Sequence, residues 1–142
     1  MSKKTELARQ CFKSGLNCAQ SVIYPFCEQY GLDPETAMRL SAGFGGGFRA
    51  GEICGAASGA VAVIGLKYGQ SSGDDALKKA DCEKKAAEFM KAFRENGAVT
   101  CKGLLTPKRL ELSEKGLKDN LRETFCTELV AKTAELLESM GY

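Results

Sequence analysis

The sequence predicts an all-α protein, a single-domain helical bundle in which a glycine-rich loop leads into a buried central helix. Apolar residues recur at helical spacing in successive segments, and residues that commonly cap helices precede several of these segments. Almost no segment shows the two-residue alternation of a half-buried strand. A chain of 142 residues is long enough to bury one core, so we expect one domain over residues 1–142.

The first third of the chain is predicted to form three short helices. The first covers residues 2–13, where apolar side chains repeat at helical spacing. Asn17 is a candidate N-cap for the second helix, which carries Cys18 in its first turn and ends at Gly31. Asp33, followed directly by a proline, has the pattern that starts a third helix.

Residues 43–51 form the most informative segment, because five of these nine residues are glycine. Such a density predicts left-handed backbone angles or a close approach to a ligand or a second helix. A nucleotide site is not favoured, because Glu52 stands where a phosphate-binding loop needs lysine and no β-α-β unit surrounds the loop. The candidate cofactor-binding residues are the loop glycines Gly45, Gly46, Gly47 and Gly51.

A long apolar helix is predicted over residues 54–68, directly after the loop. It is apolar on all sides until Lys67, which predicts a buried position at the centre of the bundle. Gly55 and Gly59 form a small-xxx-small pair, a spacing that allows a second helix to approach closely.

The C-terminal half is predicted to contain further helices. A long helix capped by Ser72 or Asp74 comes first, with an apolar stripe toward the core. Two shorter pieces are predicted at 101–105 and 107–116, because a Thr-Pro pair is typical of a helix start. The final helix carries Cys126 in or just before its first turns.

Composition excludes several classes of function. The absence of histidine excludes Ser-His-Asp and Cys-His catalysis and imidazole metal ligands. With 20 basic and 18 acidic residues and no block of either sign, nucleic acid is not an expected partner. The charge-free stretch 53–66 is shorter than the roughly 20 residues of a membrane span, and the N-terminus lacks the apolar core of a secretory signal. We therefore expect a cytoplasmic protein without a membrane span.

The seven cysteines carry the chemistry that this sequence offers. An odd number in a chain without a secretory signal favours free, metal-bound or redox-cycling thiols over a disulfide framework. Cys11, Cys27 and Cys82 lie within predicted helices, where packing alone explains them. The remaining four lie at or near predicted helix starts. They are the candidate catalytic residues or, in an alternative interpretation, the candidate metal ligands: Cys18, Cys54, Cys101 and Cys126.

Helix starts favour reactive thiols. Three of the four candidate cysteines follow a residue that can cap a helix, namely Asn17, Thr100 or Thr124. Because a helix N-terminus carries about half a positive charge, we expect it to lower the pKa of a nearby thiol. The resulting thiolate is the form that attacks disulfides and binds metals.

The glycine loop is joined to a Cys-Gly-Ala-x-x-Gly motif at residues 54–59, preceded by Asn-Cys-Ala-Gln at 17–20 and followed by Cys101 and Cys126. In this order, the segments resemble the family of redox-active proteins named for their C_GCAxxG_C_C cysteine pattern. The resemblance implies a small bacterial or archaeal protein with four family cysteines and redox activity. It also implies an association with transporter genes, so a link to a transporter is expected.

Three functions remain open at this point, with thiol redox chemistry preferred. In the first, two of the four cysteines cycle between thiols and a disulfide, assisted by helix dipoles and by Lys102 or Arg49. In the second, four thiolates hold an iron–sulfur cluster or zinc. In the third, the cysteines only pack, and the chain is an interaction or small-molecule-binding module. The redox partner or small-molecule substrate is left unidentified.

Overall fold

The computed structural model describes residues 2–142, and this part of the chain is helical without a β-strand. The all-α single-domain bundle is therefore confirmed. No helix in the described range combines the length and apolar character that crossing a membrane requires. The α-helices are α1 (Lys3–Lys13), α2 (Cys18–Cys27), α3 (Pro34–Leu40), α4 (Gly55–Tyr68), α5 (Ala76–Phe93), α6 (Cys101–Glu114) and α7 (Thr127–Ser139).

Helix α4 is the buried centre of the bundle, as predicted. Every residue from Gly55 to Ala60 is buried, and α2, α5 and α7 pack around the helix. Helix α1 covers α2 and α7 from outside. Burial of each large apolar side chain stabilises the fold by about 1.5–3 kcal/mol. The largest fully buried apolar side chains are Phe26, Phe89, Phe93, Ile64 and Leu137.

The close approach of α2 to α4 depends on the two glycines of the small-xxx-small pair. A Cβ atom on Gly59 would lie 2.6 Å from the carbonyl oxygen of Ala19, and one on Gly55 would lie 2.9 Å from Cβ of Cys18. Neither position has room for a side chain. The predicted helix contact is thus confirmed, and its partner is α2.

Helix α6 corrects the prediction of two separate pieces. It is continuous over Cys101–Glu114, and Pro107 lies inside it rather than at a start. Proline cannot donate to the carbonyl of Gly103, four residues earlier. Both residues lie on the exposed side of α6, where water can bond that carbonyl, and the helix continues.

Two predicted caps are also wrong. Helix α5 is capped by Asp75, whose carboxylate accepts a hydrogen bond from the Lys78 N–H at 3.1 Å, rather than by Ser72 or Asp74. Thr124 does not cap the last helix, because its hydroxyl donates to the carbonyl of Asn120 inside a turn that is already helical.

Candidate functional site

Four cysteines from four different segments line one cavity of about 430 Å³: Cys18, Cys54, Cys101 and Cys126. None of the other three cysteines lines it. Cys11 and Cys27 are buried, and Cys82 is half-buried on α5. The structure therefore brings together the four cysteines that the sequence analysis selected, while their chemical role stays a prediction.

Cys18 is held by a capping box at the start of α2. The side chain of Asn17 accepts from the Gln20 N–H at 2.8 Å, and the Gln20 side chain accepts from the Asn17 N–H at 2.9 Å. The Asn17 amide also donates to the carbonyls of Ser41 and Ala42. The predicted cap is confirmed, and it also ties α2 to the segment that enters the glycine loop.

Cys54 and Cys101 are tied together by the backbone. Ile53 and Thr100 form an isolated antiparallel bridge. The Cys54 N–H donates to the carbonyl of Val99 at 2.8 Å, and the Cys101 N–H donates to the carbonyl of Glu52 at 2.7 Å. These two hydrogen bonds flank the Ile53–Thr100 pair and hold the backbone of each cysteine beside the opposite segment.

Helix starts follow directly after this bridge. Cys54 is the N-cap of α4, and Cys101 is the first residue of α6, where the Thr100 hydroxyl accepts from the Gly103 N–H at 2.9 Å. Thr100 is therefore a cap, as predicted. Each of these two cysteines thus stands where a helix presents unpaired N–H groups.

Cys126 differs from the other three. A π turn spans Arg122–Cys126, and the chain is helical from position 121, so Cys126 lies more than one turn inside the helix. Cys126 directly precedes α7, as predicted, although the turn before it is already helical. A π turn inserts an extra residue into a helix and is frequent at functional sites.

The glycine loop contains a left-handed turn at the rim of the cavity. Four consecutive residues, Gly46, Gly47, Phe48 and Arg49, have φ angles of 63°, 64°, 60° and 59°. Left-handed glycines were predicted, but the two non-glycine residues were not, and each costs about 1–2 kcal/mol. They are the only non-glycine residues with positive φ in the described range. Strain of this kind often accompanies functional sites.

The four candidate glycines divide into two pairs. Gly46 lines the cavity, and Gly51 lies beside Lys102 at a small neighbouring pocket. Gly45 instead packs against Asn17, and a Cβ on Gly47 would lie 2.5 Å from the Glu52 backbone. The second pair therefore supports the chain fold, and contact with a cofactor stays a prediction for all four.

Arginines line the cavity beside the thiols. The Arg122 guanidinium lies 4.0 Å from the ring centroid of Phe12 and donates to the carbonyls of Phe12 and Leu16. Arg109 donates to the carboxylate of Asp119 at 2.7 Å. Of these arginines, only Arg49 was predicted to lie near a thiol, although the spacing of four residues between Arg122 and Cys126 places both on one helix face.

Burial is the largest influence on the pKa values of three of the cavity thiols. It raises the pKa of Cys18 to about 12, with a further contribution from the other three thiols, whereas Arg122 acts in the opposite direction. Burial likewise raises the pKa of Cys126 to about 11. The pKa of Cys54 is raised although the N–H groups of Ala56 and Ala57 favour its thiolate. For these three cysteines, the expected lowering by helix dipoles is wrong, because desolvation of the charged form outweighs it.

All seven cysteines are free thiols, and within residues 2–142 no three Cys, Asp or Glu side chains are placed to hold a single metal ion. A family model described as "Putative redox-active protein (C_GCAxxG_C_C)" matches residues 16–140. The chain belongs to this family. The matched range includes all four cavity cysteines, and the family's description is redox-active. No curated protein matches the chain. No solved structure matches it either.

Proposed function

We propose that this member of the C_GCAxxG_C_C family exchanges electrons through the thiols of Cys18, Cys54, Cys101 and Cys126. The observation that carries the proposal is the convergence of these four cysteines on one cavity, although they come from distant segments. Packing alone gives no reason for four of seven cysteines to share a cavity.

The preferred chemistry is thiol–disulfide exchange that begins at Cys101. Cys54 is only 5% exposed, whereas Cys101 is half-buried and also lines a second pocket that is more open. The thiolate of Cys101 attacks one sulfur of a substrate disulfide and releases one substrate thiol. Cys54, tied to Cys101 by the backbone bridge, then attacks the mixed disulfide and releases the second thiol. Two protein thiols are oxidised, one substrate disulfide is reduced, and the two protons leave on the products.

A four-thiolate iron–sulfur cluster, or zinc, is the second candidate, favoured by the presence of four cavity thiols rather than two. Cys thiolates are the usual ligands of both groups, so the chemistry of the donors fits, but the four side chains as described are not placed around a single ion. The N–H groups at the start of α4 and the guanidinium of Arg122 would offset part of the thiolate charge. A bound cluster would supply one-electron transfer, and Cys18, Cys54, Cys101 and Cys126 would hold it.

Anaerobic purification with an absorption spectrum, metal analysis and a thiol count separates these candidates. For thiol exchange, we expect a colourless, metal-free protein whose free-thiol count falls by two on mild oxidation. Stoichiometric iron with visible absorption would instead establish the cluster. Stoichiometric zinc in a colourless protein would establish the metal site.

Matched cysteine variants locate the reacting pair. Cys101→Ser should abolish the loss of two thiols, whereas Cys82→Ser, outside the cavity, should retain it. Peptide mapping of the oxidised protein should then find Cys54 joined to Cys101. If serine substitutions at the four cavity cysteines change only the free energy of unfolding, the cysteines merely pack and the proposal is wrong.

A further inference from the structure

A small basic pocket of about 290 Å³ adjoins the thiol cavity at Cys101. Three basic residues, Arg49, Lys102 and Arg109, line it, and no acidic residue of the described chain does. Asp119 partly balances the charge of Arg109. No ion pair within residues 2–142 involves Arg49 or Lys102, so their charges are available to a ligand.

The two pockets form a continuous surface around Cys101. Both are lined by Gly46, Arg49, Cys101 and Arg109. A group bound between the basic side chains therefore lies next to the cysteine at which exchange begins in the proposed function. A small molecule can occupy both pockets at once, with its charge in one and its reactive atoms in the other.

The position of Arg49 is maintained at an energetic cost. The φ angle of Arg49 is positive, a backbone conformation that glycine adopts without strain but arginine does not. The side chain folds back over Gly46, where an added Cβ would lie 3.0 Å from Arg49 Nη1. Gly46 thus leaves the space that the guanidinium occupies. A strained arginine at the rim of a cavity is typical of a binding residue rather than of a packing residue.

We propose that the basic pocket binds the carboxylate of a small anionic disulfide and presents its S–S bond to Cys101. This inference rests on the proposed thiol–disulfide exchange and names its substrate class. A guanidinium binds a carboxylate through two parallel hydrogen bonds, and Lys102 adds a second positive charge. The exchange is R–S–S–R plus two protein thiols giving one protein disulfide and two R–SH.

Oxidation rates of the reduced protein by three disulfides test the inference. The probes are 3,3′-dithiodipropionate with two carboxylates, neutral 2-hydroxyethyl disulfide and cationic cystamine. For each probe, the rate of protein oxidation is divided by the rate at which the same probe oxidises dithiothreitol. We expect the dicarboxylate to be preferred over the neutral probe by about tenfold, the value of one charge-assisted hydrogen bond. Higher ionic strength should reduce this preference because salt screens exposed charges.

Variants assign the preference to the pocket. Arg49→Gln and Lys102→Gln should each reduce the ratio of the dicarboxylate rate to the neutral rate several-fold. Arg94→Gln removes the same charge at an exposed site that lines neither pocket, and it should leave the ratio unchanged. An equal decrease in Arg94→Gln would assign the effect to net charge and overturn the inference.

The remaining outcomes separate this inference from the proposed function. If the neutral probe oxidises the protein as fast as the dicarboxylate, exchange is established and the basic pocket is not the substrate site. If no disulfide reacts, exchange is wrong, and titration calorimetry with unreactive suberate, a dicarboxylate of matching length, tests the pocket alone. Binding that weakens in Arg49→Gln supports the anion site, whereas no binding to the native protein overturns it.

Discussion

The two ends of the central helix α4 are built in opposite ways. At its C-terminal end, the ring of Tyr68 contacts that of Tyr142 edge-on with centroids 5.9 Å apart, and Lys67 Nζ lies over both rings while donating to the carbonyl of Gly141. At its N-terminal end, Cys54 faces a cavity of about 430 Å³. One end is closed by packing, whereas the other is left open.

The two ends therefore differ in what their contacts contribute to the stability of the fold. The tyrosine end uses aromatic and cation–π contacts, which are favourable in themselves. The cysteine end combines buried thiols with two strained left-handed residues, both of which are unfavourable in themselves. The packed remainder of α4 therefore stabilises an N-terminal end that would not be stable alone.

The largest expected effect is at Gly59, where α4 meets α2 near the cysteine end. Gly59→Ala should lower the free energy of unfolding by about 3 kcal/mol, because its Cβ would lie 2.6 Å from the rigid carbonyl of Ala19. Urea denaturation measures this. Gly65→Ala, two turns nearer the tyrosine end, is the matched control: nothing lies within 4 Å, so better helix propensity should stabilise by about 0.5–1 kcal/mol. Equal effects at both positions would contradict the close approach of α2.

Alkaline pH should weaken the cysteine end before the tyrosine end. Folding raises the pKa of Cys18 from 9.0 to about 12, so the folded state binds more protons than the unfolded state and stability falls above pH 9. Titration of Cys18 alone should lower the free energy of unfolding by about 1.4 kcal/mol at pH 10. Burial raises the pKa of Tyr142 from 10.0 to about 12, so the loss at that end begins above pH 10.

Denaturation at a series of pH values checks both effects. Cys18→Ala should lose less stability than the native protein between pH 8 and 10. Tyr142→Phe should resemble the native protein in that interval and differ from it only above pH 10. A native protein with constant stability from pH 8 to 10 would contradict desolvation of the Cys18 thiol in the folded state.

The smallest expected effect is relief of strain at Arg49. Arg49→Gly should stabilise the fold by about 0.5–1 kcal/mol, because the strain removed exceeds the entropic cost of glycine. The same variant should lose the preference for the anionic disulfide. Arg49→Gln, which keeps the strain, should lose the preference without gaining stability. Destabilisation by glycine would mean that the left-handed turn is not strained.

The fold was largely predictable, because local patterns determine it. The caps at Asn17, Asp33 and Thr100 and the close contact at Gly59 were each predicted and are confirmed. Errors arose where local signals compete. Pro107 has the pattern of a helix start, yet Thr100 had already begun that helix, so the proline lies in its interior.

The site was predictable only in part. Helix starts selected the correct cysteines for the cavity, but not their environment, because burial depends on how distant helices pack. The bridge between Ile53 and Thr100 has no strand pattern around it to indicate the pairing. Arg122 was missed as well, although its spacing of four residues from Cys126 is a pattern that places two side chains on one helix face.

The bridge at Ile53 and Thr100 also has a consequence for biosynthesis. Cys101 follows Cys54 by 47 residues, so at about 5–20 residues per second the ribosome adds it several seconds later. Closing a loop of this length costs roughly 3 kcal/mol of chain entropy, which packing of α5 against α4 and docking of α6 offset. Until then, Cys18 and Cys54 are present without the other two thiols of the cavity. Under the proposed function, the chemistry of the cavity would therefore begin only after the last two helices are synthesised, because Cys101 and Cys126 lie in that part of the chain.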